Sequence, residues 1–260
     1  MNLILLFAIS LFLILIVYKS IGGYFSVDLP NNRKRHNAKM SQIGGIVFGP
    51  LFLFIRWFLS FLPNWYMICG SVTIILGAID DNIHISWKVK LVVQLLLAFF
   101  LGVYFFGVFD IILFYNYVLP LDQIGLFGIF IIWFIGIYNS VNLLDGLDGL
   151  AGGFILLLCL GLGLSGSDMF AQLNLFFAVV LLGFLVFNSR PAKLFMGDAG
   201  SLFLGFHTAV LPLLFLTHTP TTASLNMTPF VLLASYLIAD TTRVFFTRLV
   251  AKKSPMTADT

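Results

Sequence analysis

The sequence predicts an all-α, polytopic membrane protein, and two observations support that class: the composition and the recurrence of long apolar runs. Of the 260 residues, 60% are hydrophobic and only 10% are charged, and the mean hydropathy is +1.05. Soluble domains average about 45–50% apolar and about 25% charged residues. The composition therefore excludes a soluble globular enzyme, a disordered chain and a nucleic-acid-binding protein.

The apolar runs predict about nine transmembrane helices, since a bilayer crossing needs roughly 17–25 mostly apolar residues. The runs lie at 3–18, 43–61, 65–79, 88–106, 124–141, 151–166, 171–187, 201–217 and 227–240. The first run has neither a preceding basic residue nor a following cleavage site, so we interpret it as a span and not a signal peptide. We expect one integral-membrane domain over residues 1–260.

The basic residues predict the orientation of these helices. Thirteen of the 14 Lys and Arg residues fall on connections at one side of the predicted bundle, and only Arg56 falls on the other. The positive-inside rule assigns the basic side to the cytoplasm and places the N-terminus outside. Most of the 11 acids, all of them Asp, fall on the cytoplasmic side as well. An ionised carboxylate next to the membrane is costly unless it is paired or bound to metal.

The first candidate cluster is Asp80-Asp81, at the cytoplasmic end of the third predicted span. Adjacent residues on an α-helix point about 100° apart, so both can reach one ligand only if the helix ends there. The alternative is a solvated helix end, which is less favourable because the helix C-terminus repels anions.

The second cluster is NSVNLLDGLDGLAGG, which places polar side chains three residues apart at Asn139, Asn142, Asp145 and Asp148. Along a continuous helix such a row spirals around the surface. Gly146 and Gly149 predict a break that redirects the two aspartates. Carboxylate and amide oxygens suit Mg²⁺. The alternative is a polar helix end with a glycine cap.

The third cluster, FNSRPAKLFMGDAGS, combines Arg190 and Lys193, which can contact phosphate, with Asp198 between two glycines. Phe195 either stacks on a nucleotide base or is a membrane-interface aromatic. A basic loop, DLPNNRKRH, precedes the second span, and the pair Gly44-Gly45 there indicates close helix packing or ligand approach.

Aspartates, basic residues and one aromatic side chain at a cytoplasmic membrane surface favour the transfer of a phosphorylated group with Mg²⁺. Two other classes are kept as alternatives. A secondary transporter predicts ionisable groups near the middle of the membrane. An intramembrane aspartyl protease needs two facing aspartates within the spans.

The motifs DLPNNRKRH, GAIDD, NSVNLLDGLDGLAGG and FMGDAGS, in this order over nearly the whole chain, resemble the polyprenyl-phosphate N-acetylhexosamine-1-phosphate transferases of glycosyltransferase family 4. The resemblance implies an enzyme of the bacterial inner membrane. It would transfer HexNAc-1-phosphate from UDP-HexNAc to undecaprenyl phosphate, release UMP, and start a lipid-linked glycan such as O-antigen or teichoic acid. The basic loop favours this branch over the phospho-MurNAc-pentapeptide transferases, which stay an alternative.

The resemblance also implies roles for particular residues. Asp80 and Asp81 would handle the lipid phosphate and act in catalysis with Asp198. Asp198 and Asp145 would bind Mg²⁺, or Mn²⁺ in its place. The residues expected to bind substrate are Lys90, Asn142, Asp145, Asp148, Asn188, Phe195, Arg33 and His36. The expected partners are UDP-HexNAc, undecaprenyl phosphate and membrane lipid, with no nucleic acid; a homodimer is left open.

Two departures from the family pattern qualify these expectations. His84 stands where the DDxxD pattern has its third acid, so no metal role is expected there. The chain ends at KSPMTADT, where similar proteins continue into a His-rich loop and further spans. The expectation is a C-terminally truncated chain that keeps the metal site, with weak or no transfer.

Overall fold

The structure is a computed structural model that describes residues 2–22, 27–28, 39–54, 62–107, 111–114, 117–218 and 224–251. Its described part is mostly helical, as expected. The helices are α1 (Leu3–Ile21), α2 (Gly44–Phe54), α3 (Asn64–Ile83), α4 (Trp87–Tyr104), α5 (Gln123–Leu144), α6 (Leu150–Leu164), α7 (Met169–Asn188), α8 (Gly197–His218), α9 (Thr228–Leu233) and α10 (Ser235–Val250).

Six of these helices, α1, α3, α4, α5, α7 and α8, are long and apolar enough to cross a membrane. The all-α, polytopic membrane class is therefore confirmed, whereas the expected number of nine spans is not. Helices α2 and α6 are apolar but shorter. The predicted ninth span, 227–240, is not one helix, because α9 ends at Leu233 and α10 begins at Ser235.

Short strands accompany the helices. Strand β1 (Val27–Asp28) pairs antiparallel with β2 (Met40–Ser41). Strand β3 (Ile111–Phe114) pairs antiparallel with β4 (Tyr117–Val118) and parallel with β5 (Ser224–Asn226).

The chain divides into two compact units, and the single domain expected from the sequence stays a prediction. One unit comprises Met1–Ile85 and Leu144–Leu204, and we call it the motif unit because it contains most of the candidate residues. The second unit comprises Ser86–Leu143 and Gly205–Thr260.

In the motif unit, α7 packs against α1, α2 and α6. The core contains a stack of aromatic rings, in which the centroids of Phe52 and Phe177 lie 4.4 Å apart and those of Phe177 and Phe203 lie 6.0 Å apart. Ser10 of α1 donates a hydrogen bond to the Val180 carbonyl of α7 at 3.0 Å. This core holds the helix ends that carry the candidate residues.

In the second unit, an amide pair links α4 to α5. Asn139 donates to Gln94 Oε1 at 2.7 Å, and Gln94 donates back to Asn139 Oδ1 at 3.1 Å. Trp133 Nε1 donates to the Ala209 carbonyl of α8 at 2.9 Å. Asn139, the first polar residue of the NSVNLLDGLDGLAGG row, is thus engaged in contacts between helices.

Candidate active site

The two adjacent aspartates lie in the last turn of α3, which ends where the sequence analysis required. His84 follows the helix with a φ of 51°, in the left-handed region that stops helical propagation. Asp80 is only 3% exposed, and its Oδ1 accepts a hydrogen bond from the Ile85 N–H at 2.6 Å. Asp80 therefore stabilises the end of its own helix.

The neighbouring Asp81 reaches the N-terminus of α8. Its Oδ1 accepts a hydrogen bond from the Asp198 N–H at 2.6 Å, and its Oδ2 accepts one from the Ala199 N–H at 3.1 Å. The first four N–H groups of a helix have no partner within the helix. The carboxylate of Asp81 satisfies two of them and complements the positive end of the helix dipole.

Two glycines make this approach sterically feasible. Gly77, one turn before Asp81 on α3, packs directly against the backbone of Ala199, so a side chain there would collide with α8. Gly197 has a φ of +68°, and a Cβ at this position would lie 2.6 Å from Asp81 Oδ2. Glycine at both positions lets α3 and α8 approach closely enough for Asp81 to reach the amides.

The DGLDG segment forms the expected break after α5. The helix ends at Leu144, and Gly149 adopts a φ of +71° before α6 begins. Asp145 lies in this turn, half-buried. Loss of hydration raises the pKa of Asp145 well above its ordinary range, and the negative charges of Asp198 and Asp81 raise it further. Asp145 is thus close enough to Asp198 and to Asp81 for their charges to act on it.

The segment 189–196 is tied to the DGLDG turn by two side chains. Asn188, only 3% exposed, accepts from the Gly149 N–H at 3.1 Å and donates to the Leu194 carbonyl at 3.0 Å. Asp148 Oδ2 accepts from the Ala192 N–H at 3.2 Å. The turn that carries Asp145 is therefore hydrogen-bonded to the segment that leads into α8 and Asp198.

The segment before α8 is also fixed through its backbone. The Phe195 N–H donates to the Ser41 carbonyl at 2.7 Å, and the Phe195 carbonyl accepts from the Gly44 N–H at 3.0 Å. The Phe195 ring is half-buried, while Arg190 and Lys193 are exposed. Gly45 packs directly against the Gly200 backbone, which confirms the close packing expected of the pair Gly44-Gly45.

The motif unit therefore brings together seven of the predicted site residues. These are Asp80, Asp81, Asp145, Asp148, Asn188, Phe195 and Asp198. Lys90 and Asn142 belong to the second unit, where both are half-buried. Arg33 and His36 lie outside the described residues. The sequence analysis missed Gly77, although its position four residues before Asp81 in GAIDD is a signal for a helix-contact glycine.

The carboxylate oxygens of this cluster are of the kind that binds Mg²⁺. Mg²⁺ is usually bound by one or two carboxylates together with water and substrate phosphates. Among the described residues, no group of three or more His, Cys, Asp or Glu side chains could hold a metal ion. Asp145 and Asp198 are both half-buried, and the charge of Asp198 acts on Asp145. These two carboxylates match the one or two that a protein usually contributes to a Mg²⁺ site.

Fold and site together define a polytopic membrane protein that gathers carboxylates and amides at one set of helix ends. A family model for glycosyl transferase family 4 matches residues 64–216. This match covers more than half of the chain and includes every described candidate residue, so the chain belongs to glycosyl transferase family 4.

Curated relatives extend the similarity beyond the matched segment. The chain is 32% identical over 259 residues to a probable undecaprenyl-phosphate N-acetylglucosaminyl 1-phosphate transferase of Bacillus subtilis, covering 90% of this chain and 66% of that protein. An undecaprenyl-phosphate alpha-N-acetylglucosaminyl 1-phosphate transferase of Salmonella typhi is 30% identical with the same coverage. Its counterpart from Thermotoga maritima is 29% identical, with 90% and 69% coverage. The chain thus spans about two thirds of the length of these relatives.

Proposed function

We propose that this protein transfers N-acetylhexosamine-1-phosphate from a UDP-sugar to undecaprenyl phosphate and releases UMP. An oxygen of the lipid phosphate would attack the sugar-linked phosphorus of the donor, and the bond from that phosphorus to the bridging oxygen would break. The site would face the cytoplasm at the bacterial inner membrane, where the product would start a lipid-linked surface glycan.

The observation that carries this proposal is the coupling of Asp145, Asp198 and Asp81 at the N-terminus of α8, within loops cross-linked by Asn188. A diphosphate substrate brings negative charge into a region that already contains carboxylates. A cation is therefore required for both to be present together. The names of the relatives support a UDP-GlcNAc type of donor and undecaprenyl phosphate as acceptor.

The residues would divide this work by chemistry. Asp145 and Asp198 would hold Mg²⁺, which neutralises phosphate charge in such reactions. The exposed Arg190 and Lys193 would contact phosphate oxygens, and Phe195 would stack on the base. Asp148 orders the loop that carries Asp145 through its hydrogen bond to Ala192.

The remaining predicted residues keep the roles that the family resemblance assigns to them. Lys90 would contact phosphate and Asn142 would bind the nucleotide-sugar. Arg33 and His36 of the basic loop would contact the substrates. Asp80 would handle the lipid phosphate, and its hydrogen bond from the Ile85 N–H holds the end of α3 in place.

The test is incubation of membranes containing the protein with radiolabelled UDP-GlcNAc, undecaprenyl phosphate and Mg²⁺. We expect labelled lipid and stoichiometric UMP, both lost on addition of EDTA. Because the chain spans 66% of the Bacillus subtilis relative, a second arm adds that relative's C-terminal segment. The Asp198→Asn variant is the background control in both arms.

The outcomes separate the alternatives. Labelled lipid in either arm supports the proposal, and equal activity in both arms shows that the added segment is dispensable. Lipid formed only from UDP-MurNAc-pentapeptide would identify the peptidoglycan branch instead. No lipid product from any donor in either arm would refute a transferase activity.

A further inference from the structure

The pair Asp80-Asp81 stands at the end of α3, and the two carboxylates have different surroundings. Asp80 is buried against its own helix end, with the Ile85 N–H on Oδ1. Asp81 is half-buried and contacts a helix that lies 117 residues further along the chain. Their contacts therefore indicate different roles for the two aspartates.

We infer that Asp81 is a positioning residue, which caps the N-terminus of α8 from another helix and thereby fixes Asp198, and that it is not the base that accepts a proton from substrate. Both of its oxygens accept backbone N–H groups, at 2.6 Å and 3.1 Å. A carboxylate that accepts two N–H groups of one helix turn is held in one plane and one position.

The capped turn is the turn that carries Asp198. One of the two donors is the backbone N–H of Asp198 itself, so the hydrogen bond sets the position of the α-carbon from which the Asp198 side chain extends. Partners that orient a metal ligand typically change metal affinity or activity by 10–100-fold when they are removed. The kinetic readout of this inference rests on the proposed function, whereas the cap itself rests on the backbone hydrogen bonds.

The glycines around Asp81 support a built contact. Gly77 brings α3 against the Ala199 backbone, and the positive φ of Gly197 removes the Cβ that would lie 2.6 Å from Asp81 Oδ2. A cap between the two helices requires a carboxylate at Asp81 and no side chain at Gly77 or Gly197. The sequence meets this requirement at all three positions.

The experiment compares Asp81→Asn, Asp81→Glu and Asp81→Ala. Asparagine keeps one acceptor oxygen at the same reach and is among the best helix caps, but it cannot act as a base. Glutamate keeps a basic carboxylate but changes its reach. A capping role therefore predicts that Asp81→Asn is more active than Asp81→Glu, whereas the role of a base predicts the reverse.

If Asp81 acts as a cap, we expect the kcat of Asp81→Asn to stay within about 10-fold of wild type and to exceed the kcat of Asp81→Glu. We expect Asp81→Ala to raise the half-saturating Mg²⁺ concentration about 10–100-fold, with a smaller change in the KM for the UDP-sugar. Loss of a general base would instead lower kcat by about 10²–10⁴-fold in asparagine and alanine variants alike.

Two further readouts do not depend on turnover. Binding of Mn²⁺ to the purified protein is followed by electron paramagnetic resonance, and exchange of the α8 first-turn amides is followed by hydrogen–deuterium mass spectrometry. We expect Asp81→Ala to weaken Mn²⁺ binding and accelerate exchange, and Asp81→Asn, which keeps one of the two acceptor oxygens, to lie between Asp81→Ala and wild type. If Asp81→Ala fails to fold, the activities of Asp81→Asn and Asp81→Glu, each compared with that of wild type, decide between the two roles.

The inference is overturned if Asp81→Asn is as inactive as Asp81→Ala while both bind Mn²⁺ and exchange like wild type. It is also overturned if the glutamate variant is the more active one. A wild-type protein that forms no labelled lipid contradicts the proposed function, and the Mn²⁺ and exchange measurements still test the cap.

Discussion

Replacing Asn188 by leucine should destabilise the motif unit, because the side chain joins two loops through its hydrogen bonds. It is 3% exposed, accepts from the Gly149 N–H and donates to the Leu194 carbonyl. The substitution leaves both backbone groups without that partner. Each buried group left unpaired costs about 1–3 kcal/mol.

The expected magnitude follows from the burial of the two partners. Gly149 is half-buried and Leu194 is fully buried. We assign about 1 kcal/mol to the Gly149 amide and about 2 kcal/mol to the Leu194 carbonyl, and therefore expect a loss of about 3 kcal/mol. At about 2–4 °C per kcal/mol for a protein of this size, the unfolding midpoint should fall by roughly 6–12 °C.

Asn174→Leu is a matched control, because Asn174 lies on the same helix and is fully buried. Its Nδ2 donates to the Phe170 carbonyl one turn earlier, and its Oδ1 has no hydrogen-bond partner among the described residues. The Phe170 carbonyl lies within α7, where the helical backbone bond satisfies it. We expect this substitution to change stability by less than about 1 kcal/mol in either direction.

The assay uses the two cysteines, Cys69 and Cys159, which are both buried within the motif unit. A thiol-reactive fluorophore added to the detergent-solubilised protein therefore reports the unfolding of that unit during heating. A larger fall for Asn188→Leu than for Asn174→Leu supports the bridging role. Equal midpoints in the two variants would refute the reasoning that the two bridging bonds stabilise the unit.

Further predictions test the site and the contacts that form it. Asp198→Asn should nearly abolish lipid labelling while the unfolding midpoint stays near that of wild type, because it removes a carboxylate that we propose to bind Mg²⁺ without emptying the core; appreciable turnover at low Mg²⁺ would contradict the assignment. Gly77→Ala should lower the midpoint, because its Cβ would collide with the Ala199 backbone, whereas Gly153→Ala, whose Cβ meets no atom of the described residues within 4 Å, should not. The pKa of Asp145 is raised in the folded state, so its ionisation opposes folding, and stability in EDTA should fall as pH rises from the unfolded value near 4 through the folded one. Asp145→Asn should remove that dependence and stabilise the metal-free protein at neutral pH, and an unchanged pH profile would count against the carboxylate cluster.

The helices of this protein could be predicted from the sequence because their cause is local. A long apolar run in lipid must satisfy its own backbone hydrogen bonds, and the helix does so within one segment. Each of the nine apolar runs accordingly coincides at least in part with helix. The break at Gly149 was also predictable, because glycine marks helix ends locally, whereas the left-handed backbone of His84 that ends α3 is visible only in the structure.

The partners of the side chains were decided only by the tertiary structure. Nothing in GAIDD shows that Asp80 closes its own helix while Asp81 reaches an amide 117 residues away. The cross-link of Asn188 to Gly149, and the interruption between α9 and α10, likewise depend on packing. Residue type and spacing determine which groups a segment offers, whereas the close approach of helices at glycines such as Gly77 determines which groups meet.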